Sequence, residues 1–287
     1  MKGSDRYSYS AEQRKALFDA VLVHDNIDLR VCLPKAIHLN YGTRDLSQGY
    51  QLCREVWDEG VDRLEMKRMV AALHRERCLS REDAYAYKCI RARFKHLRFA
   101  YGSFGEGHRY PFALNQFVGL MGGLQDAFKN GQEAAVGRLS YALLMSLGRL
   151  PYSFVVRPID RFVSSSGDGF RRYVLSQIAY LRQGLGIGPV SRKQFHALRK
   201  VVSRQVAVYD TFKVLFPSKY HEAVASYLGT LNGMMGRDHD LMIAQEIKSG
   251  SGGANSTFVI KEEIESRLSV LVNAYGHVSG GGRCIGA

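Results

Sequence analysis

The amino-acid sequence predicts an all-α protein, for three reasons. Apolar residues recur three and four positions apart through most of the 287-residue chain, which is the spacing of one face of a helix. Residues that favour helix N-termini, such as Ser10, Asp45, Ser80 and Ser191, precede several of these segments. No segment alternates between apolar and polar residues as a half-buried strand does, and no paired strand signals occur.

The helical segments follow one another with short breaks. Ser10 and Gln13 form a capping box at the start of the first segment. Gly49 and Gly60 weaken the second segment, and a linker rich in serine and glycine, Ser164–Gly169, follows the fifth. The predicted helices are 10–23, 46–78, 80–101, 112–129, 132–150, 171–185, 191–215, 220–236 and 256–275.

This order of elements predicts how the chain is divided. The linker at 164–169 separates two halves, and Lys248–Asn255 is expected to be a second flexible link. The predicted parts are an N-terminal helical segment over 1–79, a first helical half over 80–163, a second helical half over 170–276 and a flexible tail over 277–287.

The charge of the chain points to anionic partners. Forty Lys and Arg residues against 27 Asp and Glu give a net charge of +13 and a pI near 9.6, and a basic surface attracts polyanions. The five cysteines include no C-x-x-C pair, which indicates reduced core thiols. The N-terminus lacks the apolar core of a signal peptide, and the longest apolar stretch, Tyr141–Val156, is broken by Arg149 and Pro151. We therefore expect a soluble, cytoplasmic protein without a membrane partner.

One segment, Tyr87–Phe104, concentrates positive charge on one side of a predicted helix. Its four cations are spaced three, four and three residues apart, so they share one stripe. An apolar stripe lies beside it, formed by Ile90, Phe94, Leu97, Tyr101 and Phe104. Like charges at this spacing repel each other, so a polyanionic ligand would explain the arrangement. The candidate ligand-binding residues of this segment are Lys88, Arg91, Lys95 and Arg98.

A second segment, Phe195–Phe212, repeats this frame 108 residues later. Arg91 corresponds to Arg199, and further along Leu124-Gln125 corresponds to Leu231-Asn232, one residue out of step. The ordered series of matches favours a degenerate internal duplication. The candidate residues of the second segment are His196, Arg199, Lys200 and Arg204.

These motifs resemble the CHAD domain (conserved histidine α-helical domain). The resemblance covers roughly residues 80–245, and Lys88 stands where the first histidine of the family motif is expected. It implies two pseudo-symmetric helical bundles whose basic helices face a central channel or groove, and it implies binding of inorganic polyphosphate. The residues that carry it are Lys88–Arg98, His196-Ala-Leu-Arg-Lys200, Tyr209-Asp210, Phe212, Leu231–Gly236 and Asp240-Leu241.

The sequence favours binding over catalysis. His196 has no nucleophile or carboxylate placed beside it by spacing, and Gly236–Leu241 is interpreted as a helix cap rather than a metal site because adjacent helical residues do not face each other. We therefore expect no enzyme activity, no catalytic residue, no cofactor and no metal. The alternatives left open are an RNA- or DNA-binding protein that stacks Tyr87, Tyr101 or Tyr209 on bases, and a structural protein whose charge is incidental.

Overall fold

A computed structural model describes residues 8–22, 27–186, 188–249 and 257–276. Helices take up 76% of the residues, and the two strands have only two residues each, so the prediction of an all-α fold is confirmed. The described elements are α1 (Ala11–Leu22), α2 (Thr43–Gly60), α3 (Arg63–Glu76), α4 (Arg81–Phe104), α5 (Phe112–Lys129), α6 (Glu133–Ser146), α7 (Arg149–Asp160), α8 (Gly167–Gly184), β1 (Val190–Ser191), α9 (Arg192–Leu215), α10 (Lys219–Ser249), β2 (Thr257–Phe258) and α11 (Glu262–Ala274).

The helix starts predicted at Ser10, Ser80 and Ser191 are confirmed by their capping hydrogen bonds, whereas Asp45 lies in the first turn of α2, which begins at Thr43. The backbone N–H of Gln13 donates to Oγ of Ser10 (3.2 Å), and the N–H of Ser10 donates back to the Gln13 side chain (3.1 Å). The same exchange joins Ser191 and Gln194 at the start of α9. Ser80 accepts from the backbone N–H three residues ahead and so caps α4.

The single helical stretch predicted over 46–78 is wrong in one respect, because it consists of two helices. Gly60 ends α2, and Asp62 caps α3 by accepting from the N–H groups of Leu64 (2.7 Å) and Glu65 (3.1 Å). An aspartate that accepts hydrogen bonds from two otherwise unpaired N–H groups favours the start of a new helix. The break between the two helices therefore lies between Gly60 and Asp62. Gly49, in contrast, lies inside α2.

After residue 146 the predicted helix over 132–150 is wrong, and the predicted linker at 164–169 holds only as the place where one compact unit ends, at Ser166, and the other resumes, at Gly167. Residues 149–160 form α7 because Pro151 lies in the first turn, where a missing N–H costs no hydrogen bond. The predicted linker at 164–169 is anchored: Ser165 is buried and its N–H donates to the Phe104 carbonyl (2.8 Å). Residues from Gly167 onward already belong to α8.

The helix predicted over 220–236 continues to Ser249 as α10. The interpretation of Gly236–Leu241 as a helix cap is therefore wrong, and these residues lie within a continuous helix. The flexible link predicted at 248–255 begins inside α10, and its remainder, like the tail at 277–287, lies outside the described residues. The final helix starts at Glu262 rather than at 256, since Thr257–Phe258 forms β2 and pairs antiparallel with β1.

The chain divides into two compact units. Among the described residues, the first unit contains 8–22, 41–166 and 210–215, so α1 to α3 belong to the same unit as α4 to α7. Its core includes Leu17, Leu52, Phe94 and Phe104, none of which exposes any surface. The second unit contains 27–40, 167–186, 188–209, 216–249 and 257–276, and its core includes Phe170, Phe195, Leu231 and Leu271.

No single described helix is both long enough and apolar enough to cross a membrane; α6 and α7 reach that hydropathy only together, across a 73° bend. The described cysteines form no disulfide, and the expectation that they lie in the core holds for two of the four. Cys53 and Cys89 are buried, whereas Cys32 and Cys78 are exposed.

Candidate functional site

The basic helix α4 is more deeply buried than its periodicity indicates. The predicted apolar stripe packs inward, and Ile90, Phe94, Leu97 and Phe104 are at most 4% exposed. Burial also extends around the C-terminal half of the helix to His96, Phe99 and Ser103. Of the four candidate cations of this helix, Lys88 is exposed, and Arg91, Lys95 and Arg98 are half-buried. The cationic stripe is therefore open to solvent at its N-terminal end and partly covered beyond it.

Two arginines of the first basic cluster, which consists of Lys88, Arg91, Lys95 and Arg98, donate to neutral side chains. Arg91 donates through Nη1 to Oε1 of Gln125 (3.4 Å), and Arg98 donates through Nη1 to Oδ1 of Asn115 (3.1 Å). Both amides belong to α5. An amide oxygen orients a guanidinium without bringing a negative charge, as a carboxylate would.

Close packing and aromatic rings complete the support of this cluster. A Cβ added at Gly122 of α5 would lie 3.1 Å from Nη2 of Arg91, so the glycine leaves room for the guanidinium. The Arg98 guanidinium lies 5.1 Å from the ring centroid of Phe99 and 5.2 Å from that of Tyr110. These cation–π contacts hold the side chain while preserving its charge.

Another arginine of α4, Arg93, has a structural role because it links neighbouring helices. Its Nε donates to the carbonyl of Val56 in the last turn of α2 (3.1 Å), and its guanidinium lies 3.4 Å above the Phe18 ring. Burial lowers the pKa of Arg93. This arginine joins α1, α2 and α4, and we do not include it in the site.

The second basic cluster, which consists of His196, Arg199, Lys200 and Arg204, lies on α9. Lys200 is exposed and the other three are half-buried. Arg204 donates to the Gln177 side chain of α8, so the second cluster also uses an amide to orient a guanidinium. A Cβ added at Gly236 of α10 would lie 2.9 Å from Nη2 of Arg199, which repeats the close approach of arginine to glycine seen in the first cluster.

An imidazole pair, His196 and His239, lies between α9 and α10. The two ring centroids are 5.0 Å apart, and the rings are tilted by 30°. Burial lowers the pKa of His196 to about 4, helped by the positive charge of Lys200 and by His239. Burial and Arg199 likewise lower the pKa of His239, and Asp240 opposes this effect. Both imidazoles are therefore neutral at pH 7, and the lysine and arginines carry the charge of this cluster.

The structure brings the candidate residues together within each cluster and adds several that sequence reasoning missed. Gln125 had been noted because Leu124-Gln125 corresponds to Leu231-Asn232, but its contact with Arg91 was not predicted. His239 was assigned to a helix cap, and no pattern linked Asn115 or Gln177 to an arginine. The amide partners and the second imidazole are Gln125, Asn115, Gln177 and His239.

Base stacking by two of the predicted tyrosines is ruled out by their burial. Tyr87 is 0% exposed and Tyr209 is 1% exposed, so neither ring can meet a nucleobase without unfolding its surroundings. The Tyr87 hydroxyl instead donates to the Met121 carbonyl (3.1 Å). Tyr101 remains partly exposed.

Within the residues that the structure describes, no three His, Cys, Asp or Glu side chains gather as a metal site requires. Comparison of the chain with protein-family models, curated proteins and solved structures gives no match.

Proposed function

We propose that this protein binds inorganic polyphosphate, or another linear polyanion of the same charge spacing, through its two basic clusters and without chemical turnover. The observation that carries the proposal is that Arg91 and Arg204 are each oriented by a side-chain amide and take part in no ion pair among the described residues. Amides fix a guanidinium in place while leaving its charge available to an oxyanion.

The spacing of the clusters fits a ligand that repeats its charge. Cations one helical turn apart lie about 5–6 Å from one another, so a chain that carries charge along its whole length can meet each of them in turn. Much of the affinity for such a ligand comes from the release of condensed counterions, and it falls steeply as salt rises. The resemblance to the CHAD domain supports the same ligand class, and the groove that it implies stays a prediction.

The test compares neutralising variants with matched controls. Lys88→Gln combined with Arg91→Gln removes two charges from the first cluster, whereas Lys67→Gln combined with Lys219→Gln removes two exposed charges elsewhere. Each lost contact is worth about 1 kcal/mol when solvated, roughly fivefold in affinity. We therefore expect about a 25-fold loss for the first pair and less than threefold for the control.

Fluorescence anisotropy of labelled polyphosphate, titrated at several salt concentrations, measures this loss. The slope of log affinity against log salt should fall by about 0.7 for each phosphate contact removed. The second cluster is tested in the same way with Lys200→Gln. Affinities that change equally in site and control variants would contradict the assignment of both clusters.

Charge reversal at Arg91 and Arg98 is a poor test of the first cluster. The Nε atoms of Arg91 and Arg98 are buried, so Arg91→Glu with Arg98→Glu would bury carboxylates and is expected to destabilise the fold. Competition between polyphosphate and single-stranded RNA at equal phosphate concentration separates the proposed ligand from a nucleic acid. Stronger displacement by RNA would overturn the choice of polyphosphate.

A further inference from the structure

The helices α6 and α7, which carry neither basic cluster, expose several large apolar side chains. Tyr141 and Met145 of α6 are 58% and 59% exposed, and Leu150 and Phe154 of α7 are 70% and 52% exposed. Large apolar side chains exposed singly are ordinary, but a pair one turn apart on one helix face is typical of a surface that meets an apolar partner. These four side chains stand on two consecutive helices.

Each helix combines this surface with arginine in the same pattern. Arg138, Tyr141 and Met145 are spaced three and four residues apart on one face of α6, and Leu150, Phe154 and Arg157 are spaced four and three apart on one face of α7. Arg161, directly after α7, continues that face by one further turn. We call this set the α6–α7 surface. Its members are Arg138, Tyr141, Met145, Leu150, Phe154, Arg157 and Arg161.

The opposite faces of the two helices account for the fold, so the α6–α7 surface is not needed for it. Val136 and Leu143 of α6 are at most 1% exposed, and Val155 and Ile159 of α7 are at most 3% exposed. α7 meets α5 through an edge-to-face contact of Tyr152 with Phe117, whose centroids are 5.8 Å apart. The exposed apolar residues therefore contribute little to the stability of the protein.

The arginines of this surface carry uncompensated charge. Arg138, Arg157 and Arg161 are exposed and take part in no ion pair of the described chain. The neighbouring Asp160 pairs with Arg54 at 2.6 Å. A partner of this surface must therefore offer both an apolar phase and negative charge.

We propose that the α6–α7 surface binds the surface of an anionic lipid bilayer. Apolar and aromatic side chains can enter the acyl boundary while the long arginine side chains reach the phosphates of the headgroups. A second copy of this chain would place two surfaces with three arginines each against one another, which the repulsion between their positive charges opposes. Such binding requires no apolar span, so it is compatible with the finding that no single described helix could cross a membrane. It departs only from the expectation of no membrane partner.

Sedimentation of the full chain with lipid vesicles tests this proposal. Vesicles of phosphatidylglycerol and phosphatidylcholine in equal parts should bind the protein at least tenfold more tightly than vesicles of phosphatidylcholine alone. Leu150→Ser combined with Phe154→Ser should weaken binding to the anionic vesicles by about tenfold or more. The control is Tyr180→Ser, since Tyr180 is 43% exposed in the second unit, and it should bind as the unaltered chain does.

Three results would overturn the proposal. The first is equal binding to both kinds of vesicle. The second is binding by the Leu150→Ser, Phe154→Ser variant that matches the Tyr180→Ser control. The third is a concentration-dependent dimer, seen by analytical ultracentrifugation, that the same double variant abolishes, because this would assign the surface to a second copy. All three readouts are made without polyphosphate, so they stand or fall separately from the proposed function.

Discussion

Asp210 is expected to make the stability of this protein depend on pH. Its carboxyl group is buried in the first unit, and its Oδ2 atom meets no hydrogen-bond partner among the described residues. Burial raises the pKa of Asp210 to about 7, against the weaker effect of the positive charge on Lys213. The substitution Asp210→Asn removes the ionisable group and keeps its shape.

The size of the effect follows from the two pKa values of this carboxyl. An unfolded chain releases the proton near pH 3.8, whereas the folded chain holds it until about pH 7. The folded state therefore binds more protons between these values, and stability falls as the pH rises through this window. The total loss is about 4 kcal/mol, of which about 2.5 kcal/mol falls between pH 5 and pH 8.

Urea unfolding followed by circular dichroism at pH 5 and at pH 8 measures this effect. The difference in unfolding free energy between Asp210→Asn and the unaltered chain should shift by about 2.5 kcal/mol in favour of the variant at pH 8. Other titrating groups cancel in that difference. Asp126→Asn, on the exposed side of α5, is the control and should show no such shift. A difference that is the same at both pH values would refute the assignment of a buried, proton-holding carboxyl.

Two further effects are expected at other sites of the chain. Ser80→Ala removes the side-chain acceptor for the N–H of Asp83 (3.0 Å) and should lower the unfolding free energy by about 1 kcal/mol, measured by the urea midpoint. Cys53 should resist an aromatic disulfide reagent under native conditions while Cys32 and Cys78 react, because burial raises the Cys53 pKa to about 12 and excludes the reagent. Labelling of Cys53 at the rate of Cys32 would contradict its burial.

Local signals predicted most helices well because their causes are local. Phe112–Lys129 matches α5 at both ends, and the capping box of Ser10 has the expected hydrogen bonds. Errors arose where a residue has two structural uses. Pro151 ends a helix when it lies in the interior but is accepted in a first turn, and α7 uses the second possibility.

The sequence predicted which residues belong to the candidate site but not how deeply their side chains are buried. Periodicity places Arg91 and Arg98 on one stripe of α4, and they do share it, but only three-dimensional packing covers their Nε atoms. The amide partners were beyond sequence reasoning for the same reason, since Asn115 and Gln125 lie on a different helix. Asp210 entered the sequence analysis only as part of a motif. Its burial was not predicted, because it depends on contacts between segments that are distant in the sequence.

The sharing of α9 between the two units has a consequence for synthesis of the chain. Residues 210–215 belong to the first unit, where Phe212 stacks on Tyr41 at 4.0 Å and Thr211 lies 3.3 Å from the Cys53 thiol. A nascent chain ending at residue 166 lacks this final piece of its own core. The amino-terminal unit therefore cannot mature on the ribosome until Leu215 has emerged from the exit tunnel. By then α8 and the part of α9 that belongs to the other unit have emerged as well.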